Sequence, residues 1–112
     1  MHRGEIWLIN LDPTIGAEIK KSRPAVIVNV DEIGALPLRV IVPITTWKDH
    51  YSQAPWLVQI SPTKQNGLDK ISAADTFQIR SLSTERFICA IGKVDKKNFT
   101  AILDGVKVVI GV

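Results

Sequence analysis

The spacing of the apolar residues changes once along this chain, and that change constrains the fold more than any other feature. Up to residue 94, apolar and β-branched residues come in short runs between turn-forming residues, which is typical of β-strands. After residue 95 they recur at three- and four-residue steps, which indicates one amphipathic helix containing Phe99, Ile102, Leu103, Val106, Val109 and Ile110. Short strands followed by one helix predict an α+β domain with a curled, mainly antiparallel sheet.

Apolar runs and the residues that end them place the strands. Residues 25–30 are nearly all apolar, which predicts a central strand buried on both faces, with Pro24 at its first position. Similar reasoning predicts strands at 5–11, 38–44, 56–60, 71–74, 76–80 and 87–94. Polar, aperiodic sequence predicts loops at 12–23, 31–37, 46–55 and 61–69. Residues 84–86 suit a single helical turn, and Asp95 is placed to cap the C-terminal helix.

Length and composition limit the class of protein. The 112 residues, of which 46% are hydrophobic and 22% charged, fit one globular domain over residues 1–112. No apolar run approaches the roughly 20 residues of a membrane span, and a strand-like run follows Met1 closely, so we expect no signal peptide. The single cysteine, Cys89, lies in an apolar run and is expected to be a buried structural thiol. A reducing, cytoplasmic setting follows.

The positive charges are partly clustered beside the predicted loops. The formal net charge is +3, and the clustered basic residues are Lys20, Lys21, Arg23, Lys48, Lys64, Lys70 and Arg80. Basic loops suit a polyanion, because phosphate contacts supply much of the affinity for nucleic acid. An ordinary solvated surface is the alternative.

The signatures of common catalytic sites are mostly missing. There is no glycine-rich phosphate loop and no His/Cys cluster with metal-ligand spacing, so we expect neither a metal ion nor a cofactor. The two histidines, His2 and His50, are expected at the surface. A histidine acid–base pair requires both side chains to converge on one phosphate, which their positions do not favour.

The junction between the loop 12–23 and the following strand is the strongest candidate site. Arg23 lies at this junction and offers five donors in a rigid fork suited to phosphate, although it can instead pair with Glu18 to hold the loop. Thr45, at the end of the third predicted strand, can place a hydroxyl near the same junction or satisfy a turn.

Two further pairs of side chains are candidates for contacts with a single-stranded nucleic acid. Gln78 and Arg80 flank Ile79 and share one face of a predicted strand, which is either a contact surface or a solvated one. Trp47 and Tyr51, in a polar loop, can stack on unpaired bases or pack against the loop itself.

Several blocks of sequence, in order along the chain, resemble the signature of the MazF/PemK toxins. The first block is specific, because many fixed residue types recur at fixed spacing, whereas the two later blocks are short. The matching segments are 3–8, 11–14, Gly16, Glu18 and 23–28, then 42–46, then 78–82. The resemblance spans nearly the whole chain.

The resemblance implies a fold, an activity and partners. The expected fold is a small SH3-like, CcdB-like barrel with a C-terminal helix, assembled as a homodimer. The expected activity is metal-independent cleavage of single-stranded RNA at short sequences, which leaves 2′,3′-cyclic phosphate and 5′-hydroxyl ends. The family's loop, here about 13–22, moves over the active site. A MazE/PemI-like antitoxin is expected to occupy the RNA groove with its extended C-terminal tail.

The resemblance also implies roles for individual residues. The family's catalytic arginine and threonine match Arg23 and Thr45. The residues expected to bind RNA or support the site are Glu18, Lys20, Lys21, Thr46, Trp47, Gln78 and Arg80. Because arginine has a pKa above about 12, it is a poor general base, and Glu18 is a speculative candidate for that role.

Two residues depart from the family pattern, and two other functions stay open. Ile19 stands where many members have Gln, and Phe77 stands where many have an acidic residue before the Gln that matches Gln78. Both are expected to alter sequence preference or the position of the loop. The alternative functions are a CcdB-like gyrase poison acting through residues near 108–112 and an RNA-binding module without catalysis.

Overall fold

Seven β-strands and a C-terminal helix make up the structure, a computed structural model that describes residues Met1–Val112. The strands are β1 (Glu5–Asn10), β2 (Ser22–Ile27), β3 (Leu38–Thr46), β4 (Leu57–Ile60), β5 (Ser72–Asp75), β6 (Arg80–Ser83) and β7 (Phe87–Lys93). The helix α1 is Lys96–Ile110, and short 3₁₀ turns occupy Asp31–Ile33, Asp49–Gln53, Thr76–Gln78 and Thr84–Arg86.

The strands form an antiparallel sheet in the order β4-β5-β3-β2-β1-β7. β3 has two partners in addition to β2, because its first half pairs with β6 and its last three residues pair with β5. No pairing joins β4 to β7, so hydrogen bonds do not close the barrel that the resemblance implies. The antiparallel sheet and the C-terminal helix are as predicted.

Side chains of β2 alternate between two apolar clusters on opposite faces of the sheet. Val26 and Val28 belong to one cluster, which α1 covers with Ile102. Ala25 and Ile27 belong to the other, which includes residues of β1, β3 and β6. All four β2-segment residues are buried, so the prediction of a central strand covered on both faces is confirmed.

Some predicted boundaries are wrong for identifiable local reasons. The predicted strand 76–80 is instead a 3₁₀ turn followed by the start of β6, because the Asp75 carboxylate accepts a hydrogen bond from the Phe77 N–H at 3.1 Å and caps the turn. β3 continues to Thr46, and the predicted loop 46–55 contains the 3₁₀ turn Asp49–Gln53. Pro24 is the third residue of β2 and not its first.

Cys89 is exposed, so the prediction of a buried thiol is wrong. Its apolar surroundings in the sequence belong to β7, which is an edge strand paired only with β1. The neighbouring Ile88 is likewise 54% exposed. An apolar run at the edge of a sheet is therefore not a reliable sign of burial.

The helix α1 lies directly on the turn that precedes β6. Gly105 is buried there, and a Cβ atom on it would lie 2.9 Å from the side chain of Thr76. The Thr76 hydroxyl donates a hydrogen bond to the Trp56 carbonyl at 2.6 Å, so the turn is attached on both sides. No helix of the structure has the length and apolar character that crossing a lipid bilayer requires.

Asp95 caps α1 as predicted, and its removal is expected to lower stability. Its carboxylate accepts a hydrogen bond from the Asn98 N–H at 2.7 Å. We expect Asp95→Ala to reduce the free energy of unfolding by about 1 kcal/mol, measured by urea denaturation. Asp104→Ala, which removes an exposed carboxylate within the same helix, is the matched control. Equal losses in the two variants would contradict a capping role.

Candidate active site

Arg23 and Thr45 come together at the wall of one cavity. The last pair of the β2–β3 ladder is Ala25 with Pro43, and each of the two residues lies two positions beyond it, Arg23 on β2 and Thr45 on β3. From there on β3 pairs with β5, and Thr45 is the partner of Ala73. Arg23 and Thr45 both line a cavity of about 190 Å³, together with Pro24, Ile44, Thr46, Leu68, Asp69, Lys70 and Ser72.

The positive charge of Arg23 is not neutralised within the protein. The two ion pairs of the structure join the N-terminus to Glu5 and His2 to Asp31, and neither involves Arg23. Arg23 Nε donates a long hydrogen bond of 3.4 Å to the Lys20 carbonyl. The alternative of an Arg23–Glu18 pair is therefore wrong, since Glu18 Oε1 instead accepts from the Ile15 N–H at 2.6 Å.

The cavity also contains Lys70, which sequence reasoning noted as basic but did not assign to the site. Its segment, 61–71, is held by Asn66, a buried amide that accepts from the N–H groups of Thr63 and Leu68 and donates to the Ser61 carbonyl. The pair Asn66-Gly67 predicts a turn in this segment. The sequence alone does not show which strand this turn packs against.

A close backbone approach holds this segment against β7. A Cβ atom on Gly92 would lie 2.5 Å from the backbone of Gln65 and Asn66, so only glycine fits without displacement. The Lys93 N–H donates to the Gln65 carbonyl at 3.0 Å across the same contact. Because the segment 61–71 is held in this position, Lys70 lies at the cavity that contains Arg23 and Thr45.

A second, larger cavity of about 430 Å³ lies between the loop that follows β1 and the start of β6. It is lined by Leu11, Ala17, Glu18, Ile19, Pro43, Phe77, Gln78, Ile79 and Arg80. The two departures from the family pattern, Ile19 and Phe77, thus line the same cavity. Phe77 is 61% exposed and packs edge-on against Trp56 at 5.7 Å between ring centroids.

Gln78 and Arg80 both contact the loop, although they do not share a strand face as predicted. Gln78 belongs to the 3₁₀ turn and Arg80 begins β6. Gln78 Oε1 accepts from the Ile19 N–H at 2.6 Å, and Arg80 Nη1 donates to the Leu11 carbonyl at 3.4 Å. Arg80 therefore contacts the start of the loop, and Gln78 contacts its middle.

Asp75, which caps the turn that contains Gln78, has a carboxyl pKa that its surroundings shift. Burial raises the pKa of its carboxyl above the usual value, and hydrogen bonds from the Phe77 and Gln78 N–H groups oppose that rise. The carboxylate accepts from Gln78 Nε2 at 3.2 Å. Asp75 thus contacts the same amide that contacts the loop.

The remaining candidates line neither cavity. Lys20 and Lys21 are exposed on the loop. Trp47 follows Thr46 and packs edge-on against Tyr51 at 5.7 Å, outside both cavities. His50 is exposed, and no group of three or more His, Cys, Asp or Glu side chains lies close enough to hold a metal ion.

Comparison of the sequence with known proteins identifies relatives across almost the whole chain. Residues 2–110 match the model of the PemK-like, MazF-like toxins of type II toxin–antitoxin systems. Endoribonuclease MazF9 of Mycobacterium tuberculosis is 35% identical over 113 residues, which cover 96% of this chain and 93% of the relative. Endoribonuclease MazF of Staphylococcus saprophyticus is 35% identical over 86 residues, which cover 77% of this chain and 71% of the relative.

Solved structures share the fold at lower sequence identity. MazF of Deinococcus radiodurans superposes with a TM-score of 0.82 at 19% identity and covers 100% of this chain and 97% of its own. A mycobacterial endoribonuclease in complex with its cognate antitoxin gives a TM-score of 0.78 at 17% identity, covering 100% of this chain and 96% of its own. The family match and the MazF9 relationship show that the chain belongs to the PemK-like, MazF-like toxins of type II toxin–antitoxin systems.

Proposed function

We propose that this toxin cleaves single-stranded RNA at short recognition sequences, with Arg23 and Thr45 at the reacting phosphate. The observation that carries the proposal is the small cavity, whose wall contains both the unpaired guanidinium of Arg23 and the hydroxyl of Thr45. The family membership makes the chain an endoribonuclease toxin that an antitoxin neutralises. The sequence selectivity and the roles of individual residues are our assignments.

The residues of the small cavity suit cleavage by the RNA's own 2′-hydroxyl. In this reaction the 2′-oxygen loses its proton and attacks phosphorus, the P–O5′ bond breaks, and the departing 5′-oxygen gains a proton. The products are a 2′,3′-cyclic phosphate and a 5′-hydroxyl. Arg23 binds the non-bridging oxygens, on which negative charge develops, and Thr45 donates a hydrogen bond to the same group. Lys70 adds a second cation at the cavity.

Proton transfer needs a group other than these cations. Arginine has a pKa above about 12 and does not accept a proton at neutral pH. Glu18, the candidate from sequence, lines the neighbouring cavity and accepts from the Ile15 N–H. Asp69 is the one carboxylate that lines the small cavity, and we therefore assign it the role of general base.

The larger cavity suits the nucleotides that flank the cleaved bond. Its apolar walls include Ile19 and the exposed ring of Phe77, on which a base can stack, and Arg80 adds a charge for phosphate. Lys20, Lys21, Thr46 and Trp47 surround the two cavities and extend the RNA contact surface. Gln78 supports the loop between them.

The partners follow from the family. Relatives from Deinococcus radiodurans and from a mycobacterium have been solved with their antitoxins. We propose that the cognate MazE/PemI-like antitoxin of this chain lays its C-terminal tail along the RNA groove, and that the toxin acts as a cytoplasmic homodimer. The tail then excludes RNA from the cavities that contain Arg23 and Phe77.

Incubation of the purified toxin with a defined single-stranded RNA in excess EDTA tests the reaction. We expect cleavage at a few sites with undiminished rate, because Arg23 and Lys70 supply the positive charge, and mass spectrometry should find cyclic phosphate and 5′-hydroxyl ends. Loss of cleavage in EDTA, or 5′-phosphate ends, contradicts the proposed chemistry. Intact RNA together with inhibited supercoiling by DNA gyrase supports the gyrase-poison alternative, and RNA binding without cleavage supports the non-catalytic one.

A further inference from the structure

The middle of the loop after β1 is hydrogen-bonded to the rest of the protein through a single side chain, that of Gln78. At its base, Arg86 Nη1 donates to the Asn10 and Asp12 carbonyls, and the Lys21 N–H donates to Asp12 Oδ1. Between residues 14 and 19, the hydrogen bonds that reach outside the loop all go to Gln78. This one amide group therefore supplies the hydrogen bonds that hold this part of the loop, and the Ile19 side chain adds apolar packing against the cluster that contains Ala25 and Ile27.

The Gln78 amide binds two backbone groups of the loop at once. Its Oε1 accepts from the Ile19 N–H at 2.6 Å, and its Nε2 donates to the Ala17 carbonyl at 3.2 Å. One side chain thus satisfies a donor and an acceptor that lie two residues apart, on either side of the bend at Glu18. This arrangement requires the oxygen and nitrogen of the amide to face in one defined order.

The Asp75 carboxylate fixes which way round the Gln78 amide lies. This carboxylate is an acceptor only, and Oδ2 lies 3.2 Å from Gln78 Nε2. With the amide reversed, Oε1 would face the carboxylate and Nε2 would face the Ile19 N–H, and both contacts would become repulsive. The second carboxylate oxygen, Oδ1, accepts from the Phe77 N–H at 3.1 Å, which fixes the carboxylate itself.

The loop in turn contacts the arginine of the small cavity. The Lys20 carbonyl accepts from Arg23 Nε at 3.4 Å. Lys20 directly follows Ile19, whose N–H donates to Gln78. A continuous path of hydrogen bonds and one short backbone step therefore runs from Asp75 through Gln78 and Ile19 to the Arg23 guanidinium. The terminal nitrogens of Arg23 stay available for phosphate, because no carboxylate pairs with them.

We propose that Gln78, oriented by Asp75, is a positioning residue that fixes residues 17–20 and thereby holds the Arg23 guanidinium for phosphate. This inference rests on the proposed function, in which Arg23 grips the cleaved phosphate. Without Gln78 the guanidinium loses its fixed orientation while the charges that attract RNA remain. The rate of the chemical step falls, and the affinity for RNA changes little.

Steady-state kinetics and amide exchange on the full chain test the proposal together. We expect Gln78→Ala to lower kcat about tenfold with KM nearly unchanged, and to increase hydrogen exchange of the Ile19 amide in NMR spectra of the RNA-free protein. Gln59→Ala, at an exposed position of β4, is the matched control and should change neither quantity.

A reciprocal exchange of acid and amide provides a rescue. Gln78→Glu places two carboxylates side by side and should slow cleavage. Adding Asp75→Asn supplies an N–H₂ donor to the new carboxylate, which still accepts from Ile19, so the double variant should recover part of the lost kcat; the donor to the Ala17 carbonyl is absent from both variants. A merely structural role for Gln78 does not predict recovery from a second substitution.

The outcomes separate this inference from the function on which it rests. Unchanged exchange at Ile19 in Gln78→Ala overturns the attachment of the loop. Faster exchange with unchanged kcat overturns the link to Arg23. Full cleavage by Arg23→Ala in the same assay overturns the proposed role of Arg23, whereas the exchange measurement still reports whether Gln78 holds the loop.

Discussion

Replacing Arg23 with alanine is expected to lower kcat for RNA cleavage by about 10²–10³-fold, which is the usual cost of removing one donor that stabilises charge in a transition state. The guanidinium lines the small cavity near the start of β2, and it has no carboxylate partner. Since no ion pair of the folded protein is lost, the variant should fold normally. Single-turnover cleavage of a defined RNA and circular dichroism measure the two quantities.

Controls on β3 distinguish the role of Arg23 from a general loss of positive charge. Arg39→Ala removes the same charge from the far end of β3, where the side chain donates to the Leu36 and Leu38 carbonyls, and it should leave kcat nearly unchanged. Thr45→Val removes only the hydroxyl that lines the same cavity as Arg23 and should slow cleavage about tenfold or more. A correctly folded Arg23→Ala protein that cleaves RNA at full rate would contradict the proposed mechanism.

Replacing Gly92 with alanine is expected to lower the free energy of unfolding by about 3 kcal/mol, the upper end of the usual cost of overpacking. The new methyl group would lie 2.5 Å from the backbone of Gln65 and Asn66, and neither can rotate away as a flexible side chain does. The segment 61–71 must therefore move away from β7. Since this segment carries Lys70 to the small cavity, cleavage should slow as well.

Urea denaturation and RNA cleavage measured on the same preparation test this expectation. Ala90→Ser, at an exposed position of the same strand, is the control and should change the free energy of unfolding by less than about 0.5 kcal/mol. A Gly92→Ala protein as stable as the unsubstituted chain would show that the segment adjusts without cost. The close backbone contact would then have no energetic importance.

Much of the fold follows from sequence because its strands and helix differ in apolar period. The run at 25–30 predicted a strand buried on both faces, and Val26 and Ile27 indeed face opposite clusters. The errors arise where the position of a segment in the fold, and not its own sequence, decides its burial or its conformation. The apolar run around Cys89 is exposed because β7 lies at a sheet edge, and the residues around Gln78 leave the strand because Asp75 caps a turn.

The candidate site was only partly predictable, because its geometry depends on pairing between distant segments. Sequence indicated that Arg23 follows a basic loop, but that it shares a cavity with Thr45 depends on how β2 and β3 come together in the fold. Lys70 reaches the same cavity through a contact between the segment 61–71 and Gly92, which no local pattern encodes. The polar loop around Trp47 was expected to be irregular, and aromatic packing against Tyr51 instead accompanies a 3₁₀ turn.

The buried Gly105 brings α1 into contact with the turn that contains Gln78, although α1 itself contacts neither cavity. None of its residues lines either cavity, yet Gly105 lets it rest on Thr76, two residues before the amide that binds the loop. Helix and turn must therefore shift together. A larger side chain at position 105 would press on Thr76 and is therefore expected to displace the turn that contains Gln78.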